Sequence, residues 1–143
     1  MKLKIISFSG ENFSHDSVIS TSMMTQWGEI TILDNHAPMI ASMSPGVLQV
    51  SYSDDNAMKQ QENFAIGSWV VEVSLWSVKV MVDMLVDVDK VDKGKAQEAK
   101  DRALTMMEEA KQSSDRVDME KFIEAEDLLH KSIAQLKLYD LRK

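Results

Sequence analysis

Proton transfer near neutral pH would fall first to the three histidines of this 143-residue sequence, His15, His36 and His130. None of them stands in a catalytic signature. His15 is expected in a polar connection, His130 on a charged helix, and His36 between a turn and Ala37-Pro38, where a structural or interface role fits better than catalysis. His36 beside Asp34 is the nearest approach to an acid–base pair, and a small hydrolase built on it would still lack a placed nucleophile. No Gly-x-Ser-x-Gly elbow, Walker loop or dinucleotide glycine loop is present, and the absence of cysteine removes disulfides, thiolate metal sites and a thiol nucleophile. The acids Asp83, Asp87, Asp89 and Asp92 invite a calcium-loop reading from Asp87 to Glu98. That loop would place Val91 at a ligand position and Asp92 at the turn glycine, so helix capping explains the acids more simply. Neither a metal nor a cofactor is expected. Lys131, Lys137, Arg142 and Lys143 make the last sixteen residues net positive in a chain of net charge −7. Two readings of that stretch stay open: a solvated helix face, or a cationic helix that meets an acidic partner surface.

The elements that would position these residues fall into two groups. At 44% hydrophobic and 27% charged, the chain reads as a soluble, folded protein, and its acidity opposes phosphate attraction, which argues against a nucleic-acid partner. No signal-peptide core is visible, and no apolar run is long enough for direct membrane insertion. Residues 1–88 carry four lysines against ten acids and seven of the nine aromatics, whereas residues 89–143 carry twelve basic and thirteen acidic side chains. This shift predicts a β-sandwich or flattened barrel over 1–86 and an antiparallel two-helix hairpin over 87–143.

Alternation and turn residues predict eight to nine strands: Lys2 to Phe8, Asp16 to Thr25, Glu29 to Leu33, Met39 to Met43, Val47 to Tyr52, Lys59 to Ile66, Trp69 to Val73 and Val78 to Leu85. The first helix is expected to start in Asp89-Lys-Val-Asp92, with Val91, Ala96, Ala99, Ala103, Met106 and Ala110 as its inner stripe. Gln112-Ser-Ser-Asp115 reads as the turn. Asp118 then caps a second helix with Phe122, Ala125, Leu129, Ser132, Leu136 and Tyr139 facing inward. So alanine-rich a stripe buries little apolar area, and such a hairpin should open easily.

Gly28-Glu-Ile-Thr-Ile-Leu-Asp-Asn-His36-Ala-Pro38, then Ser44-Pro-Gly46-Val-Leu-Gln-Val, resembles the epsilon subunit of rotary F-type ATP synthases, whose pattern there is Gly-Glu-Leu-Gly-Ile, a turn, His-Ala-Pro and a later glycine before an alternating strand. Ser132-Ile-Ala-Gln-Leu-Lys-Leu is similar to the same family's second helix. The resemblance implies a non-catalytic rotor subunit of the central stalk, bound to the gamma subunit and resting on the c-ring. It matches Glu29 and His36 to the c-ring and gamma contacts, and Lys131, Lys137 and Arg142 to contacts of the regulatory helix.

The same resemblance implies that the hairpin lies folded on the sandwich or extends into the alpha/beta catalytic head to inhibit hydrolysis. It also implies a peripheral location at the cytoplasmic face of a bacterial inner membrane. Some bacterial members bind ATP at (Ile or Leu)-Asp-x-x-Arg-Ala and at arginines of the second helix. The matching positions are Val91-Asp92-Lys-Gly-Lys95-Ala96, and Lys131 with Gln135. Lysine cannot reproduce a planar bidentate contact, and glutamine carries no charge. The alternative from another class is a free-standing β-sandwich binding module with a helical dimerisation hairpin.

Overall fold

The computed structural model describes residues 1–10, 12–112 and 116–142. Ten strands come first: β1 (Lys2–Ser7), β2 (Asn12–His15), β3 (Val18–Thr25), β4 (Gly28–Leu33), β5 (Met39–Met43), β6 (Gly46–Ser53), β7 (Lys59–Ile66), β8 (Trp69–Val73), β9 (Ser77–Val82) and β10 (Leu85–Asp87). A 3-10 turn over Val88–Lys90 leads to α1 (Lys93–Lys111) and α2 (Arg116–Leu141). The expected β-sandwich followed by a two-helix hairpin is the fold. The turn expected at 112–115 and the terminal Lys143 fall largely outside the described residues.

Strict alternation makes the strands. In β1, Leu3 and Ile5 are buried while Lys2 and Lys4 face water; in β9, Val78, Val80 and Val82 are buried. The two strands pair in parallel with Leu3 beside Val78 and Ile5 beside Val80, so their inward faces coincide. The sheet runs β10-β7-β6-β3-β5-β8-β9-β1-β2, with β4 added against β3. β3 is the corner: Thr21 and Ser22 pair with β6, whereas Thr25 pairs with Met43 of β5, and a register shift between Val18 and Ser20 bends it. Leu3, Ile5, Met23, Ile32, Met43, Leu48, Val71 and Val80 fill the interior.

A second, smaller cluster lies outside the sandwich. Val47, Ala65 and Val86 are cross-strand neighbours on β6, β7 and β10, and α2 covers them with Ala134 and Leu138. Double cover explains why Phe64, Ala65 and Ile66 are buried in succession: Phe64 and Ile66 belong to the sandwich core, and Ala65 belongs to the helix seam. The helices are antiparallel, since Lys93 lies over the Tyr139 ring and Lys111 over Phe122. Of α1 only Ala96 and Ala103 are buried.

Several expected details move. The chain has two strands more than the eight ranges named; the first, β2, forms where a polar connection was read, and there His15 pairs with Leu3 and its ring lies 4.1 Å from that of Tyr52. The strand expected over Val78 to Leu85 is two strands, since Asp83 and Met84 turn between β9 and β10. The first helix does not begin at Asp89. Asp87 accepts the Asp89 N–H to cap the 3-10 turn, and Asp92 accepts the Lys95 N–H at 3.1 Å to cap α1, which leaves Val91 ahead of the helix and packed in the seam. Asp118 sits inside the first turn of α2 rather than at its N-cap position, and its charge complements the helix dipole. Among the described side chains of α2 the buried ones are Ala125, Ser132, Ala134 and Leu138, because that helix faces both α1 and the sheet.

The β6–β7 turn holds a point of backbone strain. Asp54 accepts the N–H groups of Asn56 and Met58 and the Gln60 amide, and the Met58 contact above all keeps its carboxyl below the usual range despite partial desolvation. Ala57 is held there at φ 59°, a region that disfavours a Cβ. Ala57→Gly is therefore expected to raise the thermal midpoint by about 1–3 °C, since relief of strain exceeds the added chain entropy; a lower midpoint in calorimetry contradicts this.

Candidate functional site

Glu29 and His36 do not form one site; they mark the two ends of β4. Thr25 and Gly28 close the β3–β4 turn, with the Thr25 hydroxyl donating to the Gly28 carbonyl at 2.7 Å. Gly28 has φ 118°, open to glycine alone. This geometry presents Glu29 to solvent beside Trp27, which is 92% exposed. His36 follows the far end of the strand, after Asn35 at φ 63°. Its Nδ1 lies 2.8 Å from the Ala37 carbonyl oxygen, which can only accept, so Nδ1 is the donor of that bond. At about 3.3 Å per residue the body of the strand separates the two groups by more than 10 Å. A carboxylate at one end and an imidazole at the other can each pair with a partner loop, and neither can relay a proton to the other.

The motif residues of the hairpin gather differently. An open cavity of about 580 Å³ lies between the helices and the sandwich, lined by Met84, Lys95, Arg102, Lys131 and Gln135 among others. Asp92 is not among its lining residues; its carboxylate is spent on the α1 cap. Lys131 is clamped, with Nζ 2.8 Å from Asp83 Oδ2 and 2.7 Å from Asp127 Oδ2. Burial works against its charge, but the bonds from Asp127 and Asp83 outweigh this and hold the ammonium above the ordinary lysine value. Its contribution to docking is thus complete below the usual lysine range and is lost only as pH climbs past the raised value. The Gln135 amide donates to Met84 Sδ at 3.4 Å.

Of the other cationic residues, Arg142 reaches Asp89 at 3.8 Å on the surface and Lys137 is exposed, with no ion pair among the described residues. His130 is exposed on α2. Sequence reading missed Arg102 and the Lys131 partners. Arg102 lies seven residues after Lys95, on the same helix face, and Asp127 lies four before Lys131, so both were open to a spacing argument. Asp83 is 48 residues from Lys131 and nothing local announces it.

Residues 1–88 match the family model described as the beta-sandwich domain of the ATP synthase Delta/Epsilon chain. The chain belongs to this family. As an ATP synthase epsilon-type chain it is a structural or regulatory subunit of that complex and not a catalytic one. Its relatives include the ATP synthase epsilon chain of Ligilactobacillus salivarius, 30% identical over 80% of this chain and 77% of that one. The epsilon chain of Staphylococcus aureus strain JH9 is 26% identical over 99% of this chain and 98% of its own. Among solved structures, a chain of the Euglena gracilis mitochondrial ATP synthase OSCP/F1/c-ring assembly shares the fold with a TM-score of 0.72 and 20% identity, over 92% of this chain and 76% of that one. A chain of the Tetrahymena thermophila mitochondrial central stalk and c-ring superposes with a TM-score of 0.52, at 16% identity over 64% of this chain and 69% of its own. No helix among the described residues of this epsilon-type chain is long and apolar enough to cross a membrane.

Proposed function

We propose that the chain is the central-stalk subunit that couples c-ring rotation to the catalytic head, with a sandwich of residues 1–86 as the adaptor and the hairpin of 87–143 as a movable brake on ATP hydrolysis. One observation carries this reading: the sandwich has a core of its own, and the hairpin rests on it through a separate, alanine-lined seam. Leu138 is the largest side chain fully buried in that seam, and burying a leucine contributes about 1.5–3 kcal/mol. A seam of a few such side chains, separate from the sandwich core, can be released by a competing partner without unfolding the sheet.

Glu29 and His36 are the residues proposed to meet the c-ring and gamma, and Lys131, Lys137 and Arg142 those that meet the alpha/beta head once the hairpin extends and the Lys131–Asp83 and Arg142–Asp89 pairs are given up. Asp92 is assigned to capping rather than nucleotide contact. The complex would hold the chain at the cytoplasmic face of a bacterial inner membrane, as its bacterial relatives suggest.

The test is reconstitution into an ATP synthase stripped of its own epsilon chain. The chain is expected to bind stably with gamma and restore ATP-driven proton pumping. Glu29→Lys should lower pumping per ATP several-fold with the melting temperature almost unchanged, since Glu29 is exposed. Failure to bind a gamma-containing complex would remove the proposal, and unchanged pumping by Glu29→Lys would remove the assignment of that residue.

A further inference from the structure

The seam contains one long-range ion pair that its apolar contacts do not require. Asp83 lies in the turn between β9 and β10, and this turn is stitched to the one between β7 and β8: Gly67 N–H donates to the Met84 carbonyl at 3.0 Å and Asp83 N–H to the Ser68 carbonyl at 3.1 Å. The two turns therefore hold the Asp83 carboxylate at a fixed place on the sandwich. Its Oδ1 is buried without a hydrogen-bond partner among the described residues, and its Oδ2 takes the Lys131 ammonium from α2. Residue 67 must be glycine for this arrangement. A Cβ there would stand 1.9 Å from Asp83 Oδ1 and 2.9 Å from Lys131 Cε. The second carboxylate, Asp127, comes from the helix itself and aims the lysine at 2.7 Å.

We propose that Asp83, Lys131 and Asp127, seated over Gly67, form a built-in ionic latch that closes the hairpin on the sandwich without any bound ligand. The cavity beside it carries two further cations, Lys95 and Arg102, which form no ion pair among the described residues, and one acid, Glu98. An anion entering the cavity would find those two groups but would have to compete with two carboxylates for the third. Ligand-free closure follows from that competition: the strongest cationic contact of the seam is already made within the chain. The latch rests on the reading of the hairpin as a movable element, and it can be examined apart from the ATP synthase.

The chain has no cysteine, so a labelled pair introduced at the exposed Gln61 and Leu141, which line one surface cavity when the hairpin is seated, reports hairpin position in the full-length protein without background. The unliganded chain is expected to give mainly the short label distance, and 5 mM MgATP, used here as a polyanion probe, should change the closed-to-open ratio by less than about 2-fold. Asp83→Asn should lower that ratio by about 3- to 10-fold, as for a partly exposed charged hydrogen bond. Gly67→Ala should do the same while changing no charge. Asp83→Asn with Lys131→Gln should be no more open than either alone, the sign of one shared interaction.

Circular dichroism separates opening from unfolding, and should Gly67→Ala fail to fold, the near-isosteric Asp83→Asn still decides. Closed populations unchanged in Asp83→Asn, or a wild-type hairpin that closes only when MgATP is added, would overturn the latch. A latch that opens as described while hydrolysis by the reconstituted enzyme stays constant would instead count against the brake.

Discussion

Enzyme rebuilt with residues 1–88 alone is expected to hydrolyse ATP several-fold faster than enzyme rebuilt with the full chain, while proton-driven synthesis is largely retained. The core side chains Leu3, Ile5, Leu48, Val71 and Val80 all come from the sandwich, so removing the helices takes nothing from that core. What truncation uncovers is the row of Val47, Ala65 and Val86, a small patch that water can tolerate. Assembly with gamma should therefore survive. Equal hydrolysis rates with and without residues 89–143, measured at matched occupancy, would exclude the hairpin as a brake.

The second prediction runs in the opposite direction. Ala134 of α2 and Ala65 of β7 are 1% and 0% exposed in one cluster, so the helix approaches the sheet with no spare volume. Ala134→Leu should force the hairpin off its seat at a cost of about 1–3 kcal/mol, which shifts the closed-to-open ratio by roughly 5- to 150-fold. With the sandwich intact, the freed hairpin would reach the catalytic head more often, and hydrolysis should fall below the wild-type rate. A hydrolysis rate at or above wild type in this variant, with the open state verified by label distance, would show that opening and inhibition are separate events.

Where local pattern decides, the sequence was sufficient. Alternation placed β1, β4, β5 and β8, and helical spacing found the alanines that line α1. β2 escaped because Asn12 to His15 is polar and short, and its strand character comes from pairing with β1. The start of α1 moved from Asp89 to Asp92 because two capping carboxylates lie close together and the first of them serves a 3-10 turn. Ala134 and Leu138 were missed on α2 because a single inward stripe was assumed, whereas the helix packs on two surfaces at once. The site followed the same rule. The candidates Glu29 and His36 came from the run that carries the family resemblance, and their separation by the length of β4 was not drawn from it. The Lys131 partner on the sandwich depends on tertiary structure, and only the folded turns beside Gly67 disclose it.

The parallel pairing of β1 with β9 also sets a timetable for synthesis. Within the sandwich β1 is translated before the other strands, yet one of the segments it must lie beside, Ser77–Val82, is among the last. Leu3 and Ile5 thus wait uncovered through most of the translation of this module, a natural stretch for a chaperone to hold. Closure is a single late event of high contact order, and the helical segments emerge afterwards onto a surface that is already finished.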